Sequence, residues 1–251
     1  MSANCEALVG SCQTRSGWNH NLGRLLQTLV LASLSLLSQQ SQAAADSADE
    51  SFLPYAASIH LSSATKSWTG YGIYLGNGLF ITAAHVVGRA WMTNPRIVLA
   101  GREYPTRIIK EGSFEATDLT LMAVDEKILP LRLSLRRTRL CSAPSRPGQQ
   151  IVTVVPEGVV RSHIIGPEQL PIGARKFSTV IADVARTGNS GSGVFDVQHG
   201  CLLGIMSRKI SRSQIRPDTG KTEARDIAKY FVPASEIAAF LPADLVRQVN
   251  Q

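Results

Sequence analysis

The chain has 251 residues, of which 44% are hydrophobic and 18% are charged, and its formal net charge is +7. This composition excludes a disordered or collagen-like chain and indicates a globular protein with a sizeable core. The moderate basic excess includes no stripe of basic residues interleaved with aromatic ones, so we expect no nucleic-acid partner. The densest basic run, 132–140, alternates in part like a strand with one solvated face.

The amino-terminal segment, 1–43, has the composition of a secretory signal. Basic residues precede an apolar run at 25–37, and small residues near Ala43 supply a cleavage site. The run has 13 residues, too few to span a bilayer comfortably. We therefore expect a secreted or periplasmic protein without a stable membrane span after processing. A buried helix or an uncleaved membrane anchor is the alternative.

The remainder of the chain has the pattern of short strands separated by turns. Segments with strand composition alternate with Gly, Pro and Asn punctuation, and Asn77-Gly78 is the clearest hairpin signal. The strands fall into a first block at 52–127 and a second at 128–233, which favours two all-β units over a parallel sheet. The polar stretch 207–229 predicts an exposed hairpin or loop.

The segment 234–248 changes from strand to helical periodicity. Ile237, Phe240 and Leu241 recur at helical spacing, and Ser235 is a candidate helix cap. We expect one terminal helix that packs on the strands.

Two serines lie among glycines in the sequence TGNSGSG at 187–193. A serine that attacks a substrate needs a base, and the base needs a group to orient it. The order Ser–Asp–His fails, since His199 is the only histidine after the serines, and Asp–His–Ser would take its acid from the expected processing site. The order His–Asp–Ser is satisfied by His85, Asp118 and Ser190, at separations of 33 and 72 residues.

Each of these three positions suits its role. His85 closes the apolar strand FITAAH, Asp118 opens the apolar strand DLTLMAV, and Ser190 lies between glycines that permit a tight turn. In this interpretation His85 takes the serine proton, and Asp118 orients the imidazole. Each segment alone is more often a strand end, a turn or a loop, so the prediction depends on their combination.

The segments TAAH, DLTL and GNSGSG resemble the three signature segments of trypsin-like serine peptidases with the chymotrypsin fold. The resemblance extends over about 52–241 and fits best the bacterial exported branch related to HtrA-type protease domains. We expect no PDZ domain, because only ten residues follow Leu241. The resemblance implies an all-β fold of two six-stranded antiparallel β-barrels, a His–Asp–Ser triad and an acyl-enzyme, with no metal or cofactor.

The same resemblance selects Ser190 over Ser192 as the nucleophile, because the family pattern Gly-Asp/Asn-Ser-Gly falls on 188–191. The N–H groups of Gly188 and Ser190 would then form the oxyanion hole. Asn189 stands where animal trypsins have an aspartate that pairs with a newly cut amino terminus. We therefore expect that activation switch to be absent.

By position in the family, the substrate pocket would be formed by Val184, Ala185, Met206 and Ser207. These side chains are apolar or small, which predicts cleavage after a small or apolar residue. An alignment shifted by one position would bring Asp183 to the base of the pocket and favour Lys or Arg instead.

The chain has four cysteines, two of which lie in the segment expected to be removed. The other two, Cys141 and Cys201, predict one disulfide in an exported protein. Two buried free thiols are the alternative, because the sequence does not fix their separation in space.

The leading hypothesis is an exported serine endopeptidase that acts on protein or peptide substrates. A catalytically inactive relative that serves as a basic binding module is the alternative from another class, and an esterase with the same triad is a third. The triad favours the peptidase, since a binding module has no need of three separated catalytic residues. The sequence makes no prediction of oligomeric state.

Overall fold

The structure is a computed structural model that describes residues 49–61, 69–182, 190–216, 218 and 220–249. The predictions that lie outside these ranges concern 1–43, Asp183, Val184, Ala185, Gly188 and Asn189. Within the described ranges the chain forms two β-sheets, followed by two short helices. None of the described helices is both long enough and apolar enough to cross a membrane.

The first unit is a curled antiparallel sheet of seven strands. Its strands are Ala56–Leu61 (β1), Thr69–Gly76 (β2), Leu79–Thr82 (β3), Pro95–Leu99 (β4), Arg102–Pro105 (β5), Arg107–Glu111 (β6) and Thr120–Ala123 (β7), in the spatial order β5-β4-β1-β2-β3-β7-β6. The predicted double-barrel fold is confirmed, but this sheet has one strand more than predicted. The additional strand arises because β5 ends at Pro105, which has no N–H to donate to a ladder.

The second unit is a closed barrel of six strands. Its strands are Gln150–Val155 (β8), Gly158–Ile165 (β9), Val180–Ile181 (β10), Gly193–Asp196 (β11), Cys201–Ile215 (β12) and Thr222–Pro233 (β13), in the order β10-β13-β12-β11-β8-β9. Pairing of β9 with β10 closes the barrel. Strands β12 and β13 remain paired as far as Ile215 and Thr222, so the predicted polar hairpin is confirmed.

The basic run 132–140 does not form the predicted strand. It begins within a helical turn, Leu131–Ser134, and the carbonyl of Pro130 accepts hydrogen bonds from two N–H groups of this turn. Leu133 is buried, while Leu131 is 72% exposed, so the turn buries one side only. Strand-like alternation cannot distinguish such a turn from an edge strand over so few residues.

Two helices, Ala234–Phe240 and Ala243–Val249, replace the single predicted terminal helix. Pro242 separates them, because proline cannot continue the helical hydrogen-bond ladder. The predicted cap is also wrong, since Pro233 precedes the first helix and Ser235 lies inside its first turn.

The main hydrophobic core contains side chains from both sheets. Its largest fully buried members include Tyr74 and Phe80 of the first sheet and Phe195 of the second. Gly193, at the start of β11, lies so close to Ile73 that an added Cβ would be 2.7 Å from that side chain. The two units therefore pack tightly beside the segment that carries Ser190.

Candidate active site

His85 lies in the short helix Ala84–Val87, which begins two residues after β3 ends. The sequence predicts His85 at the end of the strand itself, and the difference arises because the chain turns directly after Ala83. The other side chains of this helix are buried, whereas the His85 side chain is 24% exposed. The helix therefore keeps the imidazole accessible beyond the end of β3, an interior strand of the first sheet.

Asp118 lies in the loop before β7, and only 2% of its surface is exposed. Its Oδ2 accepts a hydrogen bond from His85 Nδ1 at 2.8 Å, and its Oδ1 accepts one from the His85 backbone N–H at 3.0 Å. The Ser207 hydroxyl donates to Oδ2 at 2.5 Å. Because Nδ1 of the neutral ring donates to Asp118, Nε2 carries no proton and is the basic nitrogen.

The pKa of Asp118 is set by two opposing effects. Burial alone would raise it, but hydrogen bonds from the His85 ring, the Ser207 hydroxyl and the His85 N–H hold it below the ordinary value of 3.8. The carboxylate is therefore ionised at neutral pH. An ionised, buried carboxylate stabilises the imidazolium that forms when His85 takes a proton.

Ser190 lies in the turn before β11 and is held by both sheets. Its carbonyl accepts a hydrogen bond from the Tyr71 N–H at 3.0 Å, and the next residue, Gly191, donates to the Met206 carbonyl at 2.8 Å. Its Oγ donates to the Ser207 carbonyl at 3.5 Å. Ser190 is thereby fixed between β2 of the first sheet and β12 of the second.

His85 and Ser190 are linked through Ser207. The Ser207 hydroxyl contacts Asp118, the partner of His85, and the Ser207 carbonyl contacts Ser190 Oγ. No hydrogen bond joins Ser190 Oγ directly to His85 in the described part of the chain. In unliganded enzymes this contact is often long and tightens when substrate binds.

The residues after Ser190 explain why only one of the two serines is available. Gly191 has φ +85°, and an added Cβ would collide with the Tyr71 carbonyl and the Thr82 hydroxyl. The tight turn buries Ser192 completely, and its hydroxyl has no partner among the described residues. Of the two serines, Ser190 is therefore the one that a substrate can reach.

The described members of the predicted pocket, Met206 and Ser207, are both buried. Met206 belongs to a buried apolar cluster of the second barrel's residues that includes Ile181 and Phe231. The Ser207 hydroxyl is occupied by Asp118. No sequence signal distinguishes this role of Ser207, because the two residues are 89 positions apart.

Two further residues at the site, Phe114 and Arg208, were not predicted. The rings of Phe114 and His85 are T-shaped, with centroids 5.4 Å apart. The Arg208 guanidinium lies over the Phe114 ring, 4.1 Å from its centroid. The sequence indicates only a turn around Phe114, and nothing in it pairs two residues 94 positions apart.

A disulfide joins Cys141 to Cys201, whose Cα atoms are 5.1 Å apart. The carboxylate of Asp196 lies close to both sulfur atoms. Sulfur atoms that are bonded to each other are not thiolate ligands, so this cluster is not a metal site in the oxidised protein.

Comparison with solved structures supports the fold. The serine endoprotease from Yersinia pestis is similar in structure, with a TM-score of 0.56, 15% identity, and coverage of 81% of this chain and 66% of that chain. The Rv3671c protease from M. tuberculosis, active form, has a TM-score of 0.55 and 16% identity, and the match covers 78% of this chain and 83% of that chain. The HtrA-type protease AlgW with tripeptide has a TM-score of 0.54 and 18% identity, and the match covers 82% of this chain and 63% of that chain. At these identities the likeness shows the fold alone.

No curated protein matches the sequence. Residues 70–205, however, match the trypsin-like peptidase domain family, and this match covers more than half of the chain. The matched range includes His85, Asp118 and Ser190. The protein therefore belongs to the family of trypsin-like peptidase domains.

Proposed function

We propose that the protein is an exported serine endopeptidase with His85, Asp118 and Ser190 as its catalytic triad. The observation that carries this proposal is the buried Asp118 carboxylate, which accepts hydrogen bonds from His85 and from Ser207. Ser207 is also the contact of Ser190 Oγ. Asp118 and Ser207 together thus connect His85 of the first sheet to Ser190 of the second.

The proposed reaction has two halves. Ser190 Oγ attacks the substrate carbonyl while its proton moves to His85 Nε2, and Asp118 stabilises the resulting imidazolium. The tetrahedral intermediate expels the amine, which takes the proton from His85 and leaves an acyl-enzyme. A water molecule then gives a proton to His85 and attacks the ester, and the released Ser190 oxygen recovers that proton.

The oxyanion hole is proposed to consist of the N–H groups of Gly188 and Ser190. The support is the left-handed conformation of Gly191, which turns the chain sharply after the nucleophile. A cleavage preference for small or apolar residues is also proposed. It is supported by the apolar surroundings of Met206 and by the apolar, small side chains of Val184 and Ala185.

Export to the periplasm or the cell exterior is proposed from the apolar segment at 25–37 and its basic flank. The disulfide between Cys141 and Cys201 supports an oxidising compartment, because reducing compartments keep thiols free.

Hydrolysis of casein and of a peptide library tests the activity and the cleavage preference together. The Ser190→Ala variant is expected to lose about three orders of magnitude or more in turnover. The matched control is Ser192→Ala, which makes the same change two residues away and is expected to retain most activity. Equal activity of Ser190→Ala and the wild type would contradict the triad, and a library profile dominated by Lys or Arg would contradict the apolar preference and favour Asp183.

A further inference from the structure

Arg208 follows Ser207 on β12, at the edge of the site. Its Nη2 donates to the Phe114 carbonyl at 3.0 Å, and its Nε donates to the Ser207 hydroxyl at 3.4 Å. Its guanidinium carbon also lies over the Phe114 ring, 4.1 Å from the centroid, which is within the range of a cation–π contact. Because Phe114 contacts His85 and Ser207 contacts Asp118, this cation is connected to the triad on two sides.

Among the described residues, no carboxylate forms an ion pair with Arg208. Other basic residues of the same hairpin form ion pairs, such as Lys209 with Asp226 at 2.6 Å and Arg216 with Asp218 at 3.0 Å. The two hydrogen bonds of Arg208 to described residues use two of the five guanidinium N–H groups, and the residue is partly exposed.

We propose that Arg208 is a specificity residue that binds an acidic side chain of the substrate, close to the cleaved bond. The proposal rests on the proposed peptidase function. The Ser207 carbonyl lies 3.5 Å from Ser190 Oγ, so a peptide that presents its carbonyl to Ser190 passes the residue next to Ser207. A guanidinium fork binds a carboxylate through two parallel hydrogen bonds.

The stacking on Phe114 favours this role. A guanidinium that is already held against a ring loses less side-chain freedom when it binds a carboxylate. The same cation repels a substrate Lys or Arg side chain at that position. Arg208 therefore acts as both an attractive and a repulsive element of specificity.

A purely structural role makes a different prediction. If Arg208 only held Phe114 against His85, its removal would slow the cleavage of every peptide by the same factor. If it binds an acidic side chain, its removal lowers cleavage of acidic peptides and leaves the matched neutral peptides almost unchanged. The ratio of the two rates separates the roles.

The test uses quenched fluorescent peptides with one fixed cleaved bond and either Glu or Gln at each of the flanking positions on both sides. For at least one position, the wild type is expected to cleave the Glu peptide with a kcat/KM about tenfold above that of its Gln partner. Arg208→Gln is expected to bring this ratio close to one. Arg212→Gln, a control with an exposed arginine farther along β12, is expected to keep the ratio of the wild type.

Two further measurements sharpen the test. The Glu preference of the wild type is expected to shrink as salt is raised, because salt screens partly exposed charges. Phe114→Leu removes the ring contact but keeps the cation, and it is expected to retain most of the preference.

A wild-type ratio near one at every position, or an unchanged ratio in Arg208→Gln, would overturn the proposal. Equal losses for Glu and Gln peptides would also overturn it in favour of the structural role. Failure of the wild type to cleave any peptide, or to react with a serine-directed phosphonate, would instead reject the peptidase function itself. Equal phosphonate labelling of Arg208→Gln and wild type shows that the variant keeps a folded site.

Discussion

The described part of the chain contains two Asp–His pairs that are almost identical in their contacts. In the first, His85 Nδ1 lies 2.8 Å from Asp118 Oδ2, and in the second His199 Nδ1 lies 2.6 Å from Asp196 Oδ2. In both pairs the other carboxylate oxygen accepts the backbone N–H of the same histidine. Both acids are buried, and besides the histidine ring and the histidine N–H each accepts a hydrogen bond from a further side chain, here called the third donor: Ser207 for Asp118 and Gln149 for Asp196.

The pairs differ in what surrounds them. His85 and Asp118 are 33 residues apart and meet beside the strand that contacts Ser190, whereas His199 and Asp196 are three residues apart and close a local turn. The His199 side chain is 63% exposed, against 24% for His85. An Asp–His contact therefore does not identify a catalytic site. The pair that we propose as catalytic is the long-range one, whose third donor, Ser207, also contacts the proposed nucleophile Ser190.

Replacement of each aspartate by asparagine is expected to give the largest difference in activity between the two pairs. Asp118→Asn is expected to lower kcat by about 10⁴-fold, because the amide no longer selects the tautomer with a basic Nε2. Asp196→Asn is expected to leave kcat within about twofold, as expected for a residue remote from the reacting atoms. Both are measured on one peptide substrate, and an equal loss in the two variants would remove the distinction between the pairs.

Reduction of the disulfide is expected to affect stability and not the catalytic pair. Cys201 pairs with Asp196 in the β11–β12 ladder, and the bridge spans 60 residues. Loss of a bridge of this length costs about 4 kcal/mol, which lowers the Tm by about 10 °C in a chain of this size. Thermal melts with and without a reductant measure this, with Cys141→Ser/Cys201→Ser as the matched variant. An unchanged Tm would contradict a stabilising disulfide.

Removal of the third donor of each aspartate is expected to have a smaller effect than replacement of the aspartate itself. Ser207→Ala removes one hydrogen bond to a buried, ionised carboxylate and is expected to lower kcat about tenfold, since such bonds contribute about 1.5–3 kcal/mol. Gln149→Ala removes the equivalent bond to Asp196 and is expected to lower stability by about 1.5–3 kcal/mol without an effect on kcat. If Gln149→Ala slowed turnover as much as Ser207→Ala, this would contradict a specific contribution of the Ser207–Asp118 hydrogen bond to catalysis.

The pH dependence of stability is the smallest expected effect, and both pairs should contribute to it. Burial alone would raise the pKa of Asp118 and of Asp196, but the hydrogen bonds to each hold it below 3.8. Each carboxylate therefore stabilises the fold above the pKa of the unfolded chain, and this contribution is lost as pH falls through the lower folded-state value.

Thermal melts of the wild type and Asp196→Asn between neutral pH and pH 2 measure this contribution. The difference in Tm between the two proteins is expected to be largest at neutral pH and to diminish at acidic pH. A difference that is constant with pH would contradict the lowered pKa of Asp196.

Much of this architecture follows from local sequence patterns. Short alternating strands and Asn77-Gly78 indicate two all-β units, and the order of His85, Asp118 and Ser190 indicates a triad. The helix at His85 was not predictable, because an apolar strand and an apolar helical turn look alike over four residues.

The contacts made by Ser207 and Arg208 were not predictable for a different reason. They connect β12 to a loop about 90 residues earlier, and one sequence carries no signal for such a pairing. Residue type alone also does not predict whether His199 has a catalytic or a structural role. Its local partner Asp196 explains it as part of a turn.

Labelling with a fluorophosphonate probe, followed by peptide mass mapping, tests the central claim most directly, because the probe reacts with a serine only when a base activates it. The wild type is expected to carry the adduct on Ser190. Labelling should disappear in His85→Ala and persist in His199→Ala. An adduct on Ser192, or equal labelling of these two histidine variants, would contradict the assignment of His85, Asp118 and Ser190 as the triad.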